Sequence, residues 1–224
     1  MSLGRDVVVI GAGGFGRETL DVIEAWNQRG EGAPLEVLGV VDDAPTESNL
    51  ERLARRGYEY LGDFSALVRL GAAVDYLIGV GNPATRAAIA AKCDAHGLRA
   101  GAVVHPSASV GSDTAFADGT VICGGVQVST NVRMGRHTHL NPGCIIGHDT
   151  ALDDFVSVNP GAIVSGDVSI RDRVLVGAGA VVLQGLSVGA RATVGAGACV
   201  TRDVAPCTVV SGVPARAHER ESGT

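Results

Sequence analysis

Six histidines, one glycine-rich turn and an adjacent pair of aspartates are the groups in this 224-residue sequence whose type and spacing could do chemistry. Gly11-Ala12-Gly13-Gly14-Phe15-Gly16 fits Gly-x-Gly-x-x-Gly directly after the apolar run 6–10 and just ahead of a helical pattern over 17–28. In that context free amides and a helix N-terminus favour a phosphate, and Asp42, followed by Asp43, stands near the distance at which an acid would hold a ribose. Two readings are open: a nucleotide site, or glycines that only let helix and strand approach closely. His96 falls late in a helical stretch and His218 in a polar tail, so both are expected in solvent, while His105, next to Pro106, has a structural and a chemical reading. His137, His139 and His148 lie close together. A neutral imidazole can take a proton from a nucleophile near pH 7, so general-base chemistry or metal binding would be sought here.

The elements that must position these groups come from two different patterns. Every sixth residue from Val104 to Val200 is apolar, 17 positions without an exception, and a small residue stands two places before each except at Leu186. A strict six suits neither a helix nor a flat strand, but it suits a strand that turns a corner every six residues, with three strands to a coil. This predicts a triangular β-helix of about five coils, none of which could bury its aliphatic ladder alone. Ahead of it, residues 6–10, 35–41 and 74–80 read as buried strands and 17–28, 50–56 and 84–96 as helices, the third strand closing with Gly81-Asn82-Pro83. Alternation of that kind implies a small parallel sheet of βαβ units. The expected division is 1–103 for a Rossmann-like nucleotide-binding domain, 104–206 for the β-helix and 207–224 for a C-terminal tail. The ladder is expected to end after Thr201, where Pro206 takes the next aliphatic position, and residues 218–224 are expected to be mobile.

A coil of three six-residue strands lets stacking columns be read from the sequence. His139 precedes inward Leu140 and should face outward; His148, two past inward Ile146, should lie at a corner, and neither should be core. The column through His148 holds Gly166 one coil above, which leaves a gap beside the imidazole. An imidazole beside such a gap could take a proton while backbone N–H groups hold a carbonyl oxygen, as acyl transfer requires. A surface histidine with Gly166 serving only the turn is the competing reading.

The hexad [Ile/Leu/Val]-Gly-x-x-[Ser/Thr/Ala/Val]-x resembles that of the hexapeptide acyltransferases, and the resemblance implies a left-handed parallel β-helix. Val9-Ile10-Gly11-Ala12-Gly13-Gly14, Ile78-Gly79-Val80-Gly81-Asn82, His105-Pro106-Ser107-Ala108, Asn141-Pro142-Gly143 with Gly147-His148-Asp149, Pro160-Gly161-Ala162 and Gly212-Val213-Pro214-Ala215-Arg216 extend it. The chain is similar throughout, except in its tail, to bacterial sugar acetyltransferases, which include sialic-acid O-acetyltransferases and nucleotide-aminosugar N-acetyltransferases. The resemblance implies His148 as general base, oriented by Asp149. It implies a nucleotide-sugar at Gly13, Gly14, Phe15, Asp42, Asp43 and Gly81, and acetyl-CoA as co-substrate along a groove at Ser157, Gly166, Ala178 and Ala196. It also implies a homotrimer with active sites between neighbouring β-helices. Two positions depart from the pattern: Ser157 stands where many members have a histidine near the thioester, and Phe15 where many have a histidine in the glycine loop. His139, one coil below Ser157, is the candidate replacement.

A net charge of −6 argues against a nucleic-acid partner, and no stretch approaches a membrane span. Five widely spaced cysteines without a paired ligand motif, and no signal peptide, suggest a reduced, cytoplasmic protein without a metal. The expected activity is transfer of acetyl from acetyl-CoA to an amine or hydroxyl of a sugar, with a nucleotide-linked 4-amino-sugar as the expected acceptor. The alternatives are a sialic-acid O-acetyltransferase, a noncatalytic nucleotide-sugar binder, and a metal hydrolase using His137, His139 and His148.

Overall fold

The spacing of six is realised as two-residue strands separated by four-residue corners. The structure is a computed structural model that describes residues 4–30 and 32–218; the rest of the expected mobile tail lies outside the described residues. From Val103–Val104 to Cys199–Val200 the strands pair in parallel three strands apart, Gln127 with Ile145 and Ile145 with Ile163, and so build three sheets around one triangular core. The inward ladder is buried from Ile122 to Val200. Each such side chain contributes about 1.5–3 kcal/mol of burial. Val110 and Phe116, inward by position, stay exposed because they belong to the first coil and nothing stacks beneath them.

Close stacking of coils is what the glycines after the ladder residues permit. A Cβ at Gly111 would fall 2.6 Å from the Ser129 carbonyl carbon, and one at Gly177 would fall 2.5 Å from the Ala196 amide nitrogen. The corners use left-handed backbone, in three columns: Gly125, Gly143, Gly161, Gly179 and Gly197; Asp113, Asn131, Asp149 and Asp167; and Gly119, His137, Phe155, Arg173 and Arg191. Glycine, Asn and Asp adopt that conformation readily, whereas a bulky residue such as His137 or Phe155 bears about 1–2 kcal/mol for it.

The final coil corrects the expectation that the ladder stops after Thr201 and that a tail begins at 207. The coil is shortened by two residues between Val200 and Val204, so that Val204 still bridges Val188 and Thr193 still pairs with Val209. Val209–Ser211 then pairs antiparallel with Arg216–Ala217.

The N-terminal part contains β1 (Arg5–Ile10), α1 (Gly14–Arg29), β2 (Leu35–Val41), α2 (Glu47–Ala54), β3 (Tyr60–Gly62), α3 (Phe64–Leu70), β4 (Asp75–Ile78), α4 (Pro83–Ala95) and β5 (Arg99–Ala100). Its five strands are parallel in the order β3-β2-β1-β4-β5, so the order reverses between β1 and β4. In such sheets ligands bind outside the carboxyl ends of the strands at the reversal. Asn82 caps α4 by accepting from the Thr85 amide at 3.0 Å, with Pro83 in the first turn. Asp63 caps α3 through Ser65 N at 3.0 Å. The two parts share one continuous apolar core that runs from Val7 and Leu20 into Val103 and the ladder.

Candidate active site

His148 stands at the corner following Ile145–Ile146, exposed over 61% of its side chain. Its Nδ1 lies 2.7 Å from Asp149 Oδ2, and the second carboxylate oxygen accepts from Asn131 Nδ2 at 2.9 Å. An ionised carboxylate only accepts, so Nδ1 carries the ring proton and Nε2 keeps a lone pair for a proton from elsewhere. The bond from Asn131, then that from His148, holds the Asp149 carboxyl below its usual range. Asn131 and Asp149 belong to one column of left-handed corners, which brings the three side chains into a line. Asn131 is a member of this constellation that the sequence reading missed; recurrence of Asp or Asn once per coil, at 113, 131, 149 and 167, was the available signal.

Gly166 is where its column places it, but the gap is not empty. The His148 ring fills it: a Cβ on Gly166 would lie 2.5 Å from Nε2 and 2.6 Å from Cε1. Ala178 and Ala196 are exposed at a different corner, the one preceding the Val181–Val182 and Cys199–Val200 strands. Within one chain the outward face bearing Ile163 and Val181 separates them from Gly166.

Three sequence expectations are corrected at the joint between the two parts. His139 does face out of its prism, yet it is fully buried, because the N-terminal part covers that face and Phe15 stacks on its ring at 4.6 Å. Burial, then the nearby Arg86 and His137, push its pKa well below the usual value, so it cannot serve as a proton acceptor in place of a histidine at 157. Phe15, expected at the sugar nucleotide, is engaged in this contact instead. Ser157, expected along the coenzyme groove, is buried at the same joint, where its Oγ accepts from an Arg86 guanidinium nitrogen at 2.8 Å and donates to Gly81 O at 3.0 Å. His137 is held between Tyr76 and Phe155, at centroid distances of 6.0 and 5.4 Å. Among the described residues no cluster of His, Cys, Asp or Glu could hold a metal ion.

The glycine turn divides between its two readings. Gly11 has φ 111°, a Cβ on Gly16 would collide with the Gly11 carbonyl, and Gly79 packs against Gly16 in the same way: these are packing glycines. Gly13 and Gly14 have open space where a Cβ would be and stand at the N-terminus of α1, whose first amides lack helical partners. Asp42 already accepts from two amides of its own chain, Ala12 N at 2.8 Å and Ala44 N at 2.9 Å, and so ties the end of β2 to the turn. Asp43 accepts from Phe64 N at 2.9 Å and faces Lys92 Nζ at 3.7 Å. Both aspartates line a cleft of about 320 Å³ with Gly11, Phe64, Thr85 and Lys92, at the reversal point of the sheet. His105 is structural in this arrangement, its Nδ1 accepting from Ser107 N at 3.0 Å.

A strand-reversal cleft and an outward histidine–aspartate pair on a six-residue-repeat prism are the two places in the chain equipped for chemistry. The comparisons agree. Residues 6–93 match the PglD N-terminal domain family. GDP-perosamine N-acetyltransferase of Escherichia coli O157:H7 is 30% identical over 149 residues, a stretch that spans 66% of this chain and 65% of that protein. A histidine-to-asparagine mutant of perosamine N-acetyltransferase from Caulobacter crescentus, in complex with CoA and GDP-perosamine, superposes with a TM-score of 0.85 at 28% identity, covering 98% of this chain and 99% of that one. The acetyltransferase domain of PglB from Neisseria gonorrhoeae FA1090, in complex with acetyl coenzyme A, gives 0.82 at 26% identity over 96% and 100%. The chain is thus similar to bacterial sugar acetyltransferases over nearly its whole length, and it folds as a small Rossmann-like domain followed by a left-handed parallel β-helix.

Proposed function

We propose that the protein transfers acetyl from acetyl-CoA to the amino group of a nucleotide-linked amino-sugar, with His148 as general base. The observation that carries this reading is the His148–Asp149–Asn131 line, which leaves Nε2 as the accepting atom on an exposed corner. Acetyl-CoA supplies the acyl group as a thioester. His148 Nε2 takes the proton of the attacking amine as the new C–N bond forms and returns it to the departing sulfur, while Asp149 stabilises the imidazolium in between. Gly13 and Gly14 at the head of α1, Asp42 and Asp43 in the cleft, and Gly81 at its rim would hold the nucleotide end. Gly166, Ala178 and Ala196 would line the coenzyme groove.

The N-terminal unit, 1–103, and the β-helix that follows it divide the work, one holding the nucleotide and the other performing the transfer. Because Gly166 and the two alanines stand on different corners of one prism, a groove using all of them fits a homotrimer, in which a neighbouring prism brings the second corner alongside. Ile145, Ile163 and Leu183, exposed over 40%, 36% and 40% of their surface, line the face between these corners and suit an apolar contact. Cys93, Cys123 and Cys144 are free and buried, in keeping with a reducing cytoplasm. Among the described residues no helix is long and apolar enough to cross a membrane. The test is thiol release from acetyl-CoA with GDP-, UDP- and CMP-linked amino-sugars and free sialic acid as acceptors. A nucleotide amino-sugar is expected to be turned over; absence of turnover with all of them would overturn the reading.

A further inference from the structure

Arg86 is fully buried in the first turns of α4, and none of its partners is a carboxylate. Its Nε donates to His137 O at 2.9 Å, one terminal nitrogen donates to Val80 O and Gly81 O at 2.9 and 3.1 Å, and the other donates to Phe155 O and Ser157 Oγ, both at 2.8 Å. One planar fork therefore spans three pieces of chain: the loop after β4, the corner at His137 and the corner one coil above it. The coil between those corners carries His148. We propose that Arg86 is a positioning residue that holds the 79–82 loop, the rim of the nucleotide cleft, in register with the catalytic coil, and that Ser157 is its counterpart on the β-helix.

Burying a guanidinium without a counter-ion is costly, and an aliphatic side chain would fill the same space at less expense. Burial alone pushes the Arg86 pKa down to about 9, and the imidazoles beside it, at His137 and His139, are both held neutral. What the guanidinium provides, and an aliphatic chain cannot, is directional bonding to carbonyls from both units at once. Gly81 O receives two donors, one from α4 and one from the β-helix, so the loop is fixed from both sides. Val80 of that loop and Thr85 just after it line the cleft, so a shift of the loop alters the nucleotide's enclosure directly. Lysine would keep the charge, but its compact ammonium cannot reach all three segments.

This inference rests on the acetyltransferase reading only for its ligand, and its test has an arm that does not. The full chain and its Arg86→Lys and Ser157→Ala variants are titrated calorimetrically with GDP, UDP, CDP and coenzyme A, and amide exchange is followed over residues 79–82. The nucleotide that binds the wild type should bind Arg86→Lys about tenfold more weakly and Ser157→Ala about threefold more weakly, with coenzyme A affinity unchanged. Exchange at 79–82 should accelerate about tenfold in Arg86→Lys. Retained nucleotide affinity together with retained protection of the loop would overturn the inference, as would an equal weakening of both ligands. If no nucleotide binds the wild type, the nucleotide-sugar reading fails, and the exchange rates alone decide whether Arg86 positions the loop.

Discussion

Gly166→Ala tests whether the seat of the His148 ring matters. The new Cβ would stand 2.5 Å from Nε2, where ordinary contact begins at 3.4 Å, so the ring must retreat by roughly 1 Å, the scale of misplacement that costs about 10²-fold in rate. Retreat also strains the 2.7 Å bond to Asp149 that sets the tautomer. The backbone itself should accept alanine, since Gly166 is not among the positive-φ residues, and the change in stability should stay within about 1 kcal/mol. Steady-state thiol release and a melting curve measure both effects. A kcat reduced about 10²-fold with a nearly unchanged Tm is expected. An unchanged kcat would refute the claim that the imidazole must occupy this seat, and a rise confined to the KM for acetyl-CoA would leave Gly166 its place in the coenzyme groove with no part in seating the ring.

His148→Ala should lower kcat by about 10²–10⁴ while leaving coenzyme A affinity intact by calorimetry; undiminished turnover would remove it from the mechanism. Asp42→Ala leaves the amides of Ala12 and Ala44 unpaired, so the sugar nucleotide should bind about tenfold more weakly with no effect on coenzyme A, and tight NAD binding by the wild type would contradict the assignment. Burial, then Arg136 and Arg86, lowers the His137 pKa to about 4 from an ordinary 6.5. The folded state therefore refuses a proton that the unfolded chain accepts, and stability present above pH 6.5 is lost as pH falls towards 4, by roughly 3 kcal/mol. Urea melts at pH 7 and 4.5 should show this loss, and His137→Phe should shrink it; an identical loss in the variant would refute the assignment. Light scattering should return a trimer mass at micromolar concentration, and a monomer would leave Gly166 and Ala196 without a common groove.

Parity along a repeat tells on which side of its own sheet a side chain lies, not what else covers that side. That is why the inward ladder was legible residue by residue from Ile122 to Val200, while His139, correctly outward, was misjudged as exposed: its cover comes from Phe15, more than a hundred residues earlier. Ser157 failed in the same way. Arg86 left no local trace, since its acceptors apart from Ser157 Oγ are main-chain carbonyls that no sequence pattern announces. The corner carrying His148 and Asp149 was legible because both lie in one short segment, and Asn131 could have been found from its column. In the N-terminal part the three longest strands carried clear apolar runs, but β3 and α3 are short and rest on a cap at Asp63 and packing against neighbours rather than on periodicity.

The shortened last coil has a consequence for how the molecule behaves in a crowd. A parallel stack ends in a row of unsatisfied N–H and C=O groups, and its repeat makes that row an ideal template for another copy, the geometry from which fibres grow. By losing two residues between Val200 and Val204 and folding Arg216–Ala217 back antiparallel on Val209–Ser211, the chain ends this sheet with a strand of opposite direction and no matching repeat. Proline, which has no N–H to offer, stands at the same end. A truncation before residue 209 would uncover the parallel edge and should make copies of the protein polymerise end to end.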